Sequence, residues 1–195
     1  MSRIIAGRFA SRRVATPSGD QTRPTADRVR ESVFSQLASW LAVADRSPDE
    51  QLADRRFLDL YAGSGAVGLE AVSRGATACW VEKDPRACRV IQANLRDLGV
   101  AGRVVRMDVT AFLRQPPTSG GFDVVWADPP YAVDDQQIAE VVDALSRPGW
   151  VAPYGWVLVE RSRRTSAVEF PQCFDKVGQR RLGDTIVYYA RRGDV

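Results

Sequence analysis

Phe57-Leu-Asp-Leu-Tyr-Ala-Gly-Ser-Gly-Ala-Val-Gly-Leu-Glu-Ala71 decides the fold. Its first residues are an apolar run that reads as a buried strand. Gly63, Gly65 and Gly68 then let the backbone come close to a ligand beside the start of a helix. The spacing is GxGxxG, which a dinucleotide-binding loop also satisfies and which a structural tight turn can produce. Working outward, the periodicity predicts strands at 57–61, 78–82, 103–107, 122–127 and 155–160, separated by helices at 66–74, 85–98, 109–114 and 134–146. Strict alternation of this kind implies an α/β fold with a parallel sheet and helices on both faces. Two last strands, near 173–180 and 184–191, are joined by Arg181-Leu-Gly-Asp184, too short for a helix, so they must be antiparallel. Upstream, Val29, Val33, Leu37 and Leu41 recur every four residues along a helix that starts near Thr25. Residues 3–9 and 12–16 alternate enough for a small hairpin around Gly7 to Ser11.

The ends of the strands carry the chemistry. Asp59 lies within the first strand, Glu82 ends the second in the place of an acid that accepts from a ribose diol, and Asp108 follows the third. The fourth, Phe122-Asp-Val-Val-Trp-Ala127, runs into Asp128-Pro129-Pro130-Tyr131. Two prolines lack N–H donors and have restricted φ, so this loop holds its carbonyls in fixed directions. Asp128 and a proline carbonyl can accept from an exocyclic amino group while Tyr131 stacks on the ring. A plain strand-ending loop would also use Asp-Pro.

These acids in order, followed by Asp-Pro-Pro-Tyr, resemble the S-adenosylmethionine-dependent methyltransferases of the amino-group type. Arg3-Ile-Ile-Ala-Gly-Arg8, then Arg23-Pro-Thr-Ala-Asp-Arg-Val-Arg-Glu-Ser-Val-Phe34, narrows this to a resemblance to the RsmD family of bacterial 16S ribosomal RNA guanine-N2 methyltransferases. The likeness runs on through the glycine loop and Asp128–Tyr131 to Gly183-Asp-Thr-Ile-Val-Tyr-Tyr189, leaving 44–55 and 116–121 as variable loops. It implies a Rossmann-like, seven-stranded class I methyltransferase sheet with an antiparallel C-terminal strand and an N-terminal β-hairpin extension. The cofactor it implies is S-adenosyl-L-methionine. Gly63, Ser64 and Gly65 would pass under the methionine part, with the Ala62 carbonyl or Asp59 on its ammonium group. Glu82 would take the ribose hydroxyls, and Asp108 with the Val109 backbone the adenine edge. Arg23 or Thr25 would meet the methionine carboxylate, although Thr25 also suits a helix N-cap. Asp128, Pro129, Pro130 and Tyr131 would hold the target amine. No metal is required.

Composition agrees with an enzyme of this sort. The 195 residues, 45% apolar, suffice for one well-buried domain. With no histidine, a Ser-His-Asp triad or a His-containing zinc site cannot be built from this chain. Cys79, Cys88 and Cys173 form no CxxC pair and read as reduced thiols. No apolar stretch approaches the ~20 residues of a membrane span, and the expected location is cytoplasmic. Residues 1–30 hold seven arginines against two aspartates, a surplus of five positive charges, so the rest must total −2 to reach the net +3. Arg3, Arg8, Arg12 and Arg13 are therefore candidate phosphate contacts on ribosomal RNA; a solvated hairpin face would have the same composition. The chain divides by this reading into a basic RNA-binding extension, 1–22, and a methyltransferase domain, 23–195. The expected partner is ribosomal RNA in the small subunit or its assembly intermediate, bound by a monomer. The competing readings are an amino methyltransferase acting on adenine N6 of DNA and a non-catalytic RNA-binding protein that keeps the fold.

Overall fold

The computed structural model describes residues 2–17, 24–117 and 120–194, with backbone alone for 24–26. β1 (Ser2–Arg3) and β2 (Arg13–Val14) pair antiparallel. They are followed by α1 (Pro24–Trp40), β3 (Arg56–Leu60), α2 (Ala66–Ser73), β4 (Thr77–Glu82), α3 (Pro85–Leu98) and β5 (Arg103–Arg106). Then come α4 (Val109–Leu113), β6 (Phe122–Ala127), α5 (Asp135–Ser146), β7 (Val151–Ser162), β8 (Phe174–Leu182) and β9 (Thr185–Arg192). The last seven strands form one sheet in the order β5-β4-β3-β6-β7-β9-β8. All its pairs are parallel except those made by β9, which runs antiparallel to β7 and β8. Strand order reverses between β3 and β6, which opens a crevice at their carboxyl ends.

Alternation sorts the strand residues into two apolar layers. Leu58, Leu60, Val125, Val157 and Val159 pack beneath α4 and α5, while Phe57, Trp126, Trp156 and Leu158 meet Val29, Val33 and Leu37 of α1. Each such side chain, fully buried, contributes about 1.5–3 kcal/mol. The helices begin and end where their caps stand. Asp84 accepts from the Arg86 N–H ahead of Pro85, and Gly99 (φ 66°) closes α3; Asp134 and Gln137 form a capping box on α5. Strand β7 departs from expectation by starting at Val151, four residues early. Val151 pairs with Phe122, a register shift follows, and Trp156 then pairs with Val124, so a bulge containing Tyr154 (φ 61°) hides the first half of the strand.

The N-terminal hairpin is present and shares a core with α2 and α3. Ile4 and Val14 pack with Leu69, Val72, Trp80, Ile91 and Leu95. Glu70, fully buried on α2, accepts from the N–H groups of Ile5 (2.7 Å) and Ala6 (3.1 Å) and from Arg74 Nε (2.9 Å). At Gly7 (φ 82°) a Cβ would lie 2.0 Å from the Ser73 carbonyl oxygen, so no other residue permits that approach.

Candidate active site

A cavity of about 1350 Å³ opens at the crevice, between the carboxyl ends of the sheet strands and the start of α1. One wall comes from the glycine turn. After β3, Tyr61 takes a left-handed φ of 57° and the Gly65 N–H closes a tight turn on the Ala62 carbonyl at 2.7 Å. The Gly63 N–H donates to Glu82 Oε2 and the Asp84 N–H to Glu82 Oε1, both at 2.8 Å. Each carboxylate oxygen thus keeps a lone pair for a further donor. A Cβ on Gly63 (φ 54°) would meet nothing within 4 Å, since that space is open cavity, whereas at Gly68 it would strike Trp80 Nε1 at 2.3 Å. The two glycines do different work: one leaves room for a ligand, the other for the indole beneath the turn.

Ala62, Gly63, Ser64, Glu82, Asp108 and Val109 all line this cavity. Asp108 caps α4 through Oδ1, which accepts from the Thr110 (2.9 Å) and Ala111 (3.2 Å) N–H groups, and Met107 and Val109 add apolar surface beside it. Gly65 and Asp59 stand behind the wall. Asp59 is buried, accepts from the Gly68 N–H at 2.9 Å, and has its carboxyl pushed well above the ordinary range, by burial first and by the charges of Asp128 and Glu82 after it. Arg23 lies outside the described residues. Thr25 falls in the first turn of α1, but its side chain is likewise outside them. The donor set suits S-adenosylmethionine: an open glycine cradle, an acid with two acceptor oxygens and an apolar slot next to a second acid.

Across the cavity, β6 delivers Asp128, whose N–H reaches the Leu60 carbonyl at 3.4 Å. The Val133 N–H donates to the Pro130 carbonyl at 2.9 Å; among the described residues no hydrogen bond uses the Pro129 carbonyl. Tyr131 is 80% exposed, on the rim of the cavity. Arg161, buried, holds this loop: Nη1 donates to the Val133 carbonyl (3.1 Å) and Nη2 to Asp135 Oδ1 (2.7 Å).

Sequence reasoning missed Arg161, Tyr61 and, above all, Glu160, which also faces the cavity. Burial, then the Asp128 charge, pushes the Glu160 carboxyl up to about 8 against an opposing hydrogen bond from Thr185. Burial and the nearby Asp108 push the Tyr61 hydroxyl up to about 12. The signal for Glu160 was available, since Val157-Leu-Val-Glu160 repeats the pattern of an apolar strand ending in an acid.

The hairpin arginines Arg3, Arg8, Arg12 and Arg13 are all exposed, and Arg3 stands opposite Arg13 across β1–β2. The Arg8 N–H donates to the Ser73 carbonyl at the end of α2, and Arg12 Nη2 to the Asp97 carbonyl in the last turn of α3. Both helices start at the crevice, so these ends point away from it; the 14 residues of α3 span about 21 Å. At the mouth itself stand Arg163 and Arg164, with Arg180 and Arg181 exposed on the end of β8, where Leu182 pairs with the cavity-lining Thr185.

A family model described as conserved hypothetical protein 95 matches residues 2–191. The ribosomal RNA small subunit methyltransferase D of Escherichia coli is 36% identical over 160 residues, covering 81% of this chain and 73% of that protein. A solved structure of the putative methyltransferase yhhF from Escherichia coli superposes with a TM-score of 0.82 at 29% identity, over 99% of this chain and 98% of that one. The fold also matches a Thermus thermophilus 16S rRNA N2 methyltransferase, RsmC, in complex with AdoMet and guanosine, at TM-score 0.69 and 19% identity, over 90% of this chain and 44% of that one. A matched model that spans nearly the whole sequence, with a relative above 30% identity, places the chain in the ribosomal RNA small subunit methyltransferase D family.

Proposed function

We propose that the protein transfers a methyl group from S-adenosyl-L-methionine to the N2 amine of a guanine in small-subunit ribosomal RNA. The observation that carries this is that Asp128–Tyr131 shares a single cavity with the glycine turn and Glu82. The name of the Escherichia coli relative supports the RNA, and the guanosine and AdoMet bound by the structural neighbour support the base and the donor.

When bound, the cofactor supplies an activated methyl group on a sulfonium. The chain's own residues position the amine and keep water out. A guanine N2 lone pair is delocalised into the ring, and hydrogen bonds from its two N–H groups to Asp128 and the Pro129 carbonyl favour a pyramidal nitrogen aimed at the methyl. The base leaves its stack to reach the pocket, and Tyr131, already open to solvent, replaces part of the lost stacking. The RNA backbone crosses the mouth on Arg163, Arg164, Arg180 and Arg181, while the hairpin arginines meet a more distant part of a folded substrate. The enzyme works as a monomer where ribosomes are assembled in the cytoplasm.

Small subunits that lack the modification, incubated with the enzyme and labelled S-adenosylmethionine, are expected to carry label in N2-methylguanine at one nucleotide. Label in N6-methyladenine, transfer to DNA in preference to RNA, or no transfer overturns the reading.

A further inference from the structure

We propose that Asp128 and Glu160 form a proton-sharing carboxylate pair, and that Glu160 is the final holder of the proton the target amine loses. This rests on the amine-methylation reading above. Strands β6 and β7 are parallel with Ala127 opposite Val159, so Asp128, the first residue past β6, leaves its strand beside Glu160 on a neighbouring strand about 4.8 Å away. They also point the same way. Trp126 and Leu158 lie in the layer beneath α1, and the residues two positions on share that face, where both acids line the cavity.

Two carboxylates that feel each other's charge cannot both ionise cheaply, and the one less solvated keeps the proton. Asp128 is exposed and Glu160 half-buried, which assigns the proton to Glu160. Burial and the Asp128 charge raise the Glu160 carboxyl, while the Thr185 hydroxyl on β9 donates to it. Among the described residues, Asp59 on β3 feels the Asp128 charge, and the charged groups that line the same cavity include Asp27 and Arg30 on α1, Arg161, and Arg163 with Asp184 at the end of the β7–β9 pair. Arg30 donates to Ser2, the Arg3 carbonyl and Asp27, and Arg163 is paired with Asp184 at 3.1 Å.

The chemistry needs such a sink. As the N–CH3 bond forms, the S–CH3 bond breaks and its electron pair stays on sulfur as a thioether. Nitrogen is left cationic with two N–H bonds. One proton passes along the N–H···Asp128 hydrogen bond into the pair and comes to rest on Glu160, which becomes a neutral acid. The amine is left neutral with one N–H, and Glu160 later returns its proton to water. Glu160 acts through Asp128 and is a positioning residue. The pair can take this proton only after losing the one it already shares, so turnover should rise as pH rises through the pair's apparent titration.

Two measurements test this. In full-length protein labelled with ¹³C at glutamate carboxyls, the resonance absent from Glu160→Gln should titrate near or above neutrality and move at least one pH unit lower in Asp128→Asn. Titration in the ordinary glutamate range, indifferent to Asp128, overturns the pair. In single-turnover transfer to unmodified small subunits, the wild-type rate should rise through pH 6–9. In Glu160→Gln that limb should move below pH 6 and the plateau fall by about 10²-fold, with cofactor affinity and RNA affinity unchanged. Identical limbs in the two proteins overturn the proton role. Label on an atom other than an exocyclic amine overturns the reading beneath it, and the carboxyl titration still decides the pair.

Discussion

Glu82 holds the Gly63 and Asp84 N–H groups while offering its remaining lone pairs to the cavity, so its removal has two consequences. Glu82→Ala should weaken S-adenosylmethionine binding by about 1–3 kcal/mol through the loss of hydrogen bonds to a charged acceptor, measured by calorimetry, with RNA affinity unchanged. Asp128→Ala should do the reverse. Its cofactor affinity should stay within a few-fold while transfer falls about 10²–10³-fold, the loss expected when one charged hydrogen bond to a transition state is removed. Near wild-type turnover would exclude Asp128 from the amine site. Glu160 adds a pH dependence. An unfolded glutamate ionises near the ordinary value, whereas the folded one holds its proton up to about 8, so folding takes up a proton between those values and stability falls as pH rises through them. Glu160→Gln removes this loss, and denaturant unfolding should show it gaining on the wild type from pH 5 to pH 9. At this scale the sequence disclosed residues whose type is restrictive: the glycines, the two prolines and the acids that end strands. It did not separate Asp59, which is buried behind the wall, from Glu82, which faces the cavity, because the face of a strand residue depends on which helix covers it. Arg161 was illegible for a related reason, since its partners, the Val133 carbonyl and Asp135, belong to the loop before α5 and to the start of that helix, 26–28 residues away.

Element order was legible almost throughout, because apolar periodicity and capping residues coincide at each boundary; Asp84-Pro85 and Gly99 bracket α3 just as they should. Strand β7 was the exception, its start masked by a bulge through Pro153 and Gly155. The docking of β1–β2 was also invisible, since it depends on two polar side chains, Glu70 and Ser73, in a mostly apolar helix. Glu70 reads as a surface residue of α2, yet it is fully buried, pairs with Arg74 at 2.9 Å and receives two hairpin N–H groups. Removing one partner of a buried ion pair typically costs about 3–5 kcal/mol because the other charge is left uncompensated. Glu70→Ala should therefore lower unfolding free energy by roughly that amount, read from urea denaturation. Deleting residues 2–17 should be at least as damaging, since it takes Ile4 and Val14 from the cluster around Trp80 and strands Glu70. A truncated protein with wild-type melting temperature would show that the hairpin only rests on the helices.

On the whole molecule, charge read along the chain and charge read in space give different maps. Along the chain, residues 1–30 carry the surplus. In space, the Arg12 guanidinium sits at the C-terminal end of α3, where a cation is favoured by the helix dipole whatever else it does, and Arg8 lies beside the end of α2 with its guanidinium over Phe9. Arg163 and Arg164 line the mouth, and Arg180 and Arg181, exposed on the end of β8, come near it because β8 folds back along β9. The two groups should therefore respond differently to the size of the RNA. Alanine at all four mouth positions should weaken binding both to small subunits and to a short RNA hairpin carrying the target guanine. The slope of log affinity against log salt should shrink by about 0.7–0.9 for each phosphate that is no longer neutralised. Alanine at Arg3, Arg8, Arg12 and Arg13 should reduce the slope with the small subunit alone, since a short hairpin held at the mouth does not extend past the far end of α3. Filter binding across a salt series with both RNAs would show this. If the hairpin arginines govern the short RNA as well, the target approaches over β1–β2 rather than over the β7–β9 corner.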